Sequence, residues 1–243
     1  MNYTELLGYF GALIIGLVVG LFGGGGSILA VPIFVYLFHL NPILATSYSL
    51  FVVGFSAAAG TIINIKKKLI DYRIAIIFSF PALFSVFVVR RYLISSLPEV
   101  ILDTGSIYIT TKMALMLLFS IVILLSSFSM LKKNKAVIAQ KLNNTNYSLL
   151  LITGSVVGVL TGLVGAGGGF LIIPALLFLA KTPMKIAIGT SLFIVATQSL
   201  IGFLGDIRPN QIIDWQFLTL FTGFSIVGVF IGNQLSKFVS GEK

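Results

Sequence analysis

Two glycine-rich segments contain the residue types through which this chain could bind a ligand with its backbone. The first, GLFGGGGSILAVP, covers Gly20 to Pro32, and the second, GLVGAGGGFLIIP, covers Gly162 to Pro174. Each cluster of glycines leads into a predicted helix, at Ser27 and at Gly169. The start of a helix presents several N–H groups without intrahelical partners and about +0.5 of effective charge. This arrangement is suited to binding an anion.

Hydroxyl and amide side chains are the other polar groups in these apolar surroundings. Ser47, Ser49, Thr190 and Ser191 occur near the starts of two predicted helices, and Gln198 lies further along the second one. The hydroxyls could complete a ligand shell or bond the carbonyl four residues earlier in their own helix, and both roles stay open. The predicted anion-binding residues are Gly23, Gly24, Gly25, Gly26, Ser27, Gly165, Gly167, Gly168, Gly169, Ser47, Ser49, Thr190, Ser191 and Gln198.

Close helix packing is the competing explanation for the glycines. Small residues four apart let helices approach closely in membranes. This spacing predicts a packing role for Gly16, Gly20, Gly158 and Gly162. The denser clusters at 23–26 and 165–169 favour the anion-binding turn, because packing needs spaced glycines rather than a run. A P-loop is excluded, since neither cluster is followed by Lys-Ser or Lys-Thr.

Few side chains are available for catalysis. The chain has no Cys and one His, which excludes thiol chemistry, disulfides and a histidine cluster. All seven Asp and Glu are predicted at helix ends or in loops, so no acid relay of the proton-pump type is visible. The sequence therefore predicts no enzyme, no metal site and no cofactor.

The elements that must position these groups are membrane helices. Of the 243 residues 57% are hydrophobic and 9% charged, and the mean hydropathy is +1.08, which leaves too little polar surface for a soluble domain. A membrane span needs about 20 apolar residues. The longest intervals free of Asp, Glu, Lys and Arg are 6–65, 74–89, 113–131, 142–180, 186–205 and 215–236. Their unbroken apolar runs exclude a transmembrane barrel and predict an all-α polytopic membrane protein.

A sequence repeat relates the two halves of the chain. The glycine motifs align at a constant offset of 142 with seven of thirteen residues identical, and the match continues from Ala45 to Val53 onto Ala187 to Val195. Each copy is predicted as a Gly-broken helical hairpin plus two helices, with one further helix between the copies. The predicted helices are 6–22, 28–40, 42–65, 72–93, 112–131, 148–164, 170–180, 183–204 and 213–238. The predicted domains are a first repeat at 1–94, a linker with one transmembrane helix at 95–146 and a second repeat at 147–243.

The basic residues predict the orientation in the membrane. If each glycine break turns the chain back, 12 of the 16 Lys and Arg share one face, and the other face holds Arg90, Arg91, Lys112 and Arg208. This bias places the N-terminus outside and the C-terminus in the cytoplasm, whereas a kink within one crossing gives about 9 against 7 and no bias. The two copies then face opposite ways. Such inverted repeats bring both glycine turns toward the midplane, where transporters bind their substrates.

These features predict anion transport. Two helix N-termini converging from opposite faces could hold a small oxyanion without a buried Lys or Arg, whose cost in lipid would be larger. The net charge of +9 indicates topology signals and contacts with anionic lipid, not nucleic-acid binding. The expected partners are a small anion and the lipid bilayer. A homo-oligomer stays an open alternative.

At these motifs the sequence resembles the TauE/SafE sulfite exporter family, also called the toluene-sulfonate uptake permease family. The resemblance rests on GLFGGGGSILAVP with ATSYSLFVVG, and on GLVGAGGGFLIIP with AIGTSLFIVA, and it spans about residues 8–236. The first copy departs from the family pattern, with TSYS in place of Thr-Ser-Leu. The resemblance implies a sulfur oxyanion as cargo, such as sulfite or an organosulfonate. The bounding membrane is taken to be a prokaryotic plasma (inner) membrane.

The sequence therefore predicts a secondary transporter that exports a small sulfur-containing anion. The anion would bind near the midplane between the two turns and cross by alternating access. Two alternatives stay open: a passive anion channel on the same scaffold, and a non-transporting scaffold or assembly protein in which the glycines only pack. Saturable flux with counterflow separates the transporter from the channel, and a scaffold has no need of two opposed half-sites.

Overall fold

The computed structural model describes residues 3–98, 100–103, 108–131, 147–207 and 213–236, almost all of them in helices. The helices are α1 (Tyr3–Phe22), α2 (Ser27–Pro32), α3 (Pro42–Lys66), α4 (Tyr72–Val88), α5 (Ile94–Ser96), α6 (Thr111–Leu131), α7 (Tyr147–Val164), α8 (Gly169–Leu179), α9 (Met184–Asp206) and α10 (Trp215–Leu235). Five-residue π-helical turns, Ile33–Leu37 and Val89–Leu93, extend α2 and α4. An antiparallel pair of short strands, β1 (Val100–Asp103) and β2 (Tyr108–Thr110), precedes α6. The predicted helical class is confirmed, and the small strand pair is an addition to it.

Six of the described helices are long and apolar enough to cross a membrane. They are α3, α4 with its π-helical turn, α6, α7, α9 and α10. Two helices that follow the glycine clusters are shorter: Ser27–Leu37, which is α2 with its π-helical turn, and α8. The 11 residues of α8 rise about 16 Å, roughly half of the hydrocarbon thickness. The chain is a multi-pass membrane protein with short helices inside it.

Side-chain caps and proline fix where several long helices begin. Asn41 caps α3, Asp71 caps α4 and Asp214 caps α10, and each side-chain oxygen accepts an N–H bond from the first turn. Pro42 occupies the first position of α3, where its missing N–H costs nothing. These caps stand at the ends of the apolar runs, which is why the runs predict the helices well.

The first glycine cluster turns the chain back along α1. A β-carbon at Gly26 would lie 2.6 Å from the carbonyl oxygen of Ile15, and one at Gly11, earlier in α1, would lie 3.0 Å from Ile33, later in the chain. The helix after the break therefore retraces α1 toward its start. This hairpin is the geometry assumed in the prediction that the N-terminus lies outside.

The two central helices, α3 and α9, run antiparallel. Near one end, the hydroxyl of Ser47 donates to the carboxylate of Asp206, 2.6 Å away. Near the other, the N–H of Asp71, which follows α3, donates to Thr190 close to the start of α9, at 3.0 Å. Both helices contribute to the buried apolar core, with Leu50, Val53, Leu192 and Val195 fully enclosed.

The first outer pair consists of α1 and α10, which run parallel. A β-carbon at Gly16 would collide with the carbonyl oxygen of Ser225, and one at Gly20 with that of Val229. Only glycine permits this approach of the two backbones, so the packing role predicted for Gly16 and Gly20 is confirmed.

The second outer pair consists of α4 and α7, which also run parallel. A β-carbon at Gly158 would lie 2.5 Å from the carbonyl oxygen of Ala82, and one at Gly162 would lie 2.8 Å from Val89. The packing role is confirmed for these two glycines as well. Each outer pair thus takes one helix from each half of the chain. The division into repeat domains stays a prediction.

Candidate functional site

The two glycine turns meet inside the protein. A β-carbon at Gly169 would lie 2.6 Å from the Cα atom of Gly24, and one at Gly24 would lie 3.0 Å from the Cα atom of Gly169. Both residues are buried. At Gly24 in the first turn (23–26) and at Gly169, directly after the second turn (165–168), the two backbones are so close that a side chain on either glycine would collide with the other chain.

Several of the glycines adopt a backbone conformation that other residues avoid. Positive φ angles occur at Gly23 (67°), Gly24 (109°), Gly165 (73°), Gly167 (66°) and Gly168 (66°). A left-handed conformation costs an L-residue roughly 1–2 kcal/mol. The clusters are thus required by the turns themselves, in addition to the close approach between them. Gly25 differs, because a β-carbon there would meet only Phe22, at 3.7 Å.

The turns leave a group of backbone donors unused. The N–H of Gly23 closes α1 by donating to Val19, and the N–H of Gly165 closes α7 by donating to Thr161. Among the described residues, the N–H groups of 24–26 and of 166–170 donate to no acceptor. Free donors at the start of α8 and of Ser27–Leu37 carry the positive end of each helix dipole.

Buried polar side chains without hydrogen-bond partners surround the second turn. Gln198 donates from Nε2 to the carbonyl oxygen of Gly167 at 2.6 Å, while its Oε1 atom has no partner. The hydroxyls of Thr161 and Ser199 also lack partners within the described chain, and both are at most 1% exposed. Thr161 contacts Gly168, and Ser199 lies 3.0 Å from a β-carbon placed at Gly167. A buried polar group without a partner costs roughly 1–3 kcal/mol, so this cluster is the strongest indication of a ligand site.

The first turn is held by hydroxyls that already have acceptors. Ser191 donates to the carbonyl oxygen of Gly23 at 2.6 Å, and Ser27 donates to that of Gly24 at 2.7 Å. Ser191 therefore reaches from α9 to the opposite turn and joins the two halves. In this conformation Ser27 and Ser191 shape the first turn.

Three other predicted residues belong to the central helices α3 and α9. Ser47 bonds Asp206, and Thr190 accepts from Asp71, so these two hydroxyls sit at opposite ends of the α3–α9 pair. The hydroxyl of Ser49 is buried and without a partner in the described chain. The structure brings together the predicted glycines with Ser27, Ser191 and Gln198. Ser47 shares the carboxylate of Asp206 with Arg90, which packs against Gly165 of the second turn, whereas Thr190 lies in a separate contact.

A buried ion pair is the principal feature that sequence reasoning missed. Arg90 is fully buried, and its Nη1 atom lies 3.0 Å from Oδ2 of Asp206 and 3.0 Å from the hydroxyl of Thr46. The prediction that Arg90 lies in a short loop between apolar runs as a topology signal is therefore wrong. Arg90 counted as a topology signal because it follows an apolar run directly beside Arg91, and nothing in the sequence separates the buried arginine from the exposed one. Asp206 does end α9, as predicted, but it is only 7% exposed.

A narrow crevice leads toward the second turn. It lies between α6, α7 and the start of α8, and it is too narrow to hold a water molecule. Thr161, Ala166 and Gly168 form its polar and backbone wall, and Phe170 and Val122 form part of its apolar wall. In this conformation the turns are packed against each other, so an anion would reach them only after the surrounding helices separate.

Comparison with known proteins places the chain among membrane transporters. The chain is 31% identical over 234 residues to a probable membrane transporter protein of Xylella fastidiosa strain 9a5c, a match that covers 95% of this chain and 84% of that protein. It is 27% identical over 252 residues to the probable membrane transporter protein YunE of Bacillus subtilis strain 168, with coverage of 94% and 85%. The probable membrane transporter protein MJ0441 of Methanocaldococcus jannaschii is 28% identical over 216 residues, with coverage of 82% and 72%. No solved structure matches.

The family assignment follows from a match along nearly the whole chain. The model of the family described as sulfite exporter TauE/SafE matches residues 9–243, which include both glycine turns and all the helices that position them. The names of these relatives describe them as probable membrane transporter proteins. The chain is therefore a membrane transporter that belongs to the sulfite exporter TauE/SafE family.

Proposed function

We propose that this transporter exports a small sulfur-containing anion, sulfite or an organosulfonate, which binds at the two glycine turns. The observation that carries the proposal is the contact between Gly24 and Gly169, with unused N–H groups on both sides of it. The family name supports a sulfur oxyanion as cargo. The direction of transport is part of the proposal.

Backbone donors explain how an oxyanion is bound without a polar channel. The N-terminus of each short helix contributes about half a positive charge, and several N–H groups can each bond one oxygen of the anion. Thr161 and Ser199 add hydroxyl donors beside the second turn, where neither has a partner among the described residues. Apolar residues line the rest of the crevice, and their low dielectric strengthens each of these contacts.

In this proposal the two halves are inverted repeats that work by alternating access, and the packed turns belong to the closed state of that cycle. The antiparallel α3–α9 pair and the parallel pairs α1–α10 and α4–α7 support two halves related by a two-fold axis in the membrane plane. We infer that rocking of these pairs separates the turns first toward one side of the membrane and then toward the other. The contact of Gly24 with Gly169 corresponds to the state in which neither side is open.

The test is ligand-dependent thermal stabilisation of the purified protein at constant ionic strength. The ligands are sulfite, thiosulfate, sulfoacetate, taurine, sulfate and acetate. A ligand that binds only the folded protein raises the midpoint of unfolding with its concentration. We expect a dose-dependent rise with sulfite or an organosulfonate. If none of the sulfur compounds changes the midpoint, the proposed cargo class is wrong.

The Thr161→Val variant tests whether the anion binds beside the second turn. The substitution keeps the shape of the side chain and removes a hydroxyl that has no partner in the described fold, so the stability without ligand should be unchanged or slightly higher. Affinity for the anion should fall by about 10-fold or more, because a hydrogen bond to a charged group contributes about 1.5–3 kcal/mol. Thr153→Val on the same helix is the matched control, since that hydroxyl bonds the carbonyl oxygen of Leu149 at 2.7 Å. Equal affinities for the two variants would move the site away from the second turn.

A further inference from the structure

Arg90 stands where four parts of the fold meet. It belongs to the π-helical turn after α4, and it contacts Asp206 at the end of α9 and Thr46 near the start of α3. The fourth part is the second glycine turn, because Nη2 of Arg90 lies 2.5 Å from the position of a β-carbon at Gly165. A residue larger than glycine at 165 would displace the guanidinium. The arginine is therefore packed directly against the turn.

The guanidinium uses only one of its nitrogen atoms. Nη1 donates to Asp206 and to Thr46, whereas Nε and Nη2 have no partner among the described residues. Nε and Nη2 form the edge that donates two parallel N–H bonds to two oxygens of one oxyanion. The ion pair leaves this edge free for a ligand.

The burial of Arg90 makes its unpartnered Nε–Nη2 edge an indication of a ligand site. Arg90 is 0% exposed and lies within a candidate membrane span, where an ionisable residue is expensive and commonly functional. Buried donors without partners are rare in folded proteins. An ion pair that served only to join α4 to α9 would be strongest with both carboxylate oxygens on the Nε–Nη2 edge, yet Asp206 approaches Nη1.

We propose that the Nε–Nη2 edge of Arg90 binds two oxygens of the transported oxyanion beside the second glycine turn. Asp206 remains on Nη1 and acts as an internal counter-anion, which neutralises the buried arginine when cargo is absent. Its negative charge also opposes the incoming anion and keeps cargo binding reversible. This assignment rests on the proposed function and adds a specific receptor for the charge of the cargo.

Two substitutions separate this role from a purely structural ion pair. Arg90→Lys retains the charge but cannot donate two parallel N–H bonds, so the affinity for sulfite should fall about 10-fold or more. Asp206→Asn keeps the shape and removes the opposing charge, so the affinity should rise several-fold. A structural ion pair predicts lower stability for both variants and the same anion affinity as in the unsubstituted protein. The opposite signs are the signature of an anion receptor.

The measurement is the dissociation constant for sulfite from thermal shifts of the purified full-length protein, with sulfoacetate as a second probe and chloride as a non-cargo anion. Arg91→Lys is the matched control, because the neighbouring arginine is exposed and donates to the carbonyl oxygen of Ile207 at 3.3 Å. We expect this control to bind sulfite as the unsubstituted protein does. Sulfite affinity that is equal in Arg90→Lys and Arg91→Lys overturns the assignment and leaves the proposed function intact.

If the proposed function is wrong, the result is different. The unfolding midpoint of the unsubstituted protein then changes with neither sulfite nor sulfoacetate, and this result contradicts both the proposed function and the role of Arg90. If Arg90→Lys does not fold, the neutral double variant Arg90→Gln with Asp206→Asn replaces it, since this pair leaves no buried charge without a partner. We expect the double variant to fold and to lose sulfite binding. Unchanged binding by the folded double variant overturns the assignment.

Discussion

At the scale of single residues, Gly168 and Gly25 make different demands on the fold. Gly168 has a φ of +66°, and a β-carbon there would collide with the hydroxyl of Thr161, whereas one at Gly25 meets only Phe22 at 3.7 Å. Gly168→Ala should lower the free energy of unfolding by about 1–2 kcal/mol from backbone strain alone, and the collision adds to this loss. Gly25→Ala should change it by less than about 0.5 kcal/mol. Thermal unfolding of both variants in detergent checks the difference, and equal midpoints would contradict the assigned turn geometry.

The sequence predicts the glycines of the site better than its charged residues. The repeat and the unusual density of glycine identify both turns, and Gln198 is conspicuous as an amide in an apolar helix. Arg90 and Asp206 are 116 positions apart, so their burial depends on a tertiary contact that no local pattern records. Thr161 was missed because a threonine in a membrane helix ordinarily bonds its own backbone.

At the scale of elements, the parallel pair α4–α7 depends on a glycine face. A β-carbon at Gly158 would lie 2.5 Å from the carbonyl oxygen of Ala82, whereas one at Gly223 in α10 would meet nothing within 4 Å. Gly158→Ala should force the helices apart and lower the unfolding midpoint by several degrees, since overpacking costs about 1–3 kcal/mol. Gly223→Ala is the control and should leave the midpoint unchanged. A midpoint for Gly158→Ala like that of Gly223→Ala would mean that α7 does not pack on α4 through this face.

Helix boundaries follow the apolar runs closely. The predicted helix at 148–164 is observed as Tyr147–Val164, and the one at 42–65 as Pro42–Lys66. The strand pair β1–β2 was not predicted, because it falls in the segment read as a linker before α6. The π-helical turn that carries Arg90 also has no signature in the sequence, although one extra residue per turn is what rotates a side chain to another face of the helix.

At the scale of the whole molecule, the absence of cysteine makes the proposed orientation directly testable. A single Cys can be introduced at Asn144, in the loop proposed to be cytoplasmic, or at the exposed Lys112, proposed to be outside. On intact cells an impermeant maleimide should label Lys112→Cys and spare Asn144→Cys. Permeabilised cells should show labelling of both. Protection of Lys112→Cys with labelling of Asn144→Cys would reverse the orientation.

Because each outer pair joins helices from different halves of the chain, the pairing also affects the order in which the bundle assembles during synthesis. The glycine face of α1 packs on α10, which is synthesised roughly 190 residues later. At the usual pace of translation, about 5–20 residues per second, α1 enters the membrane some 10–40 s before its partner leaves the ribosome. During that interval lipid or the insertion machinery must cover the groove at Gly16 and Gly20. The packing of α1 is therefore completed only when α10 is inserted, and a chain cut short before Trp215 leaves the face of α1 at Gly16 and Gly20 without its partner helix.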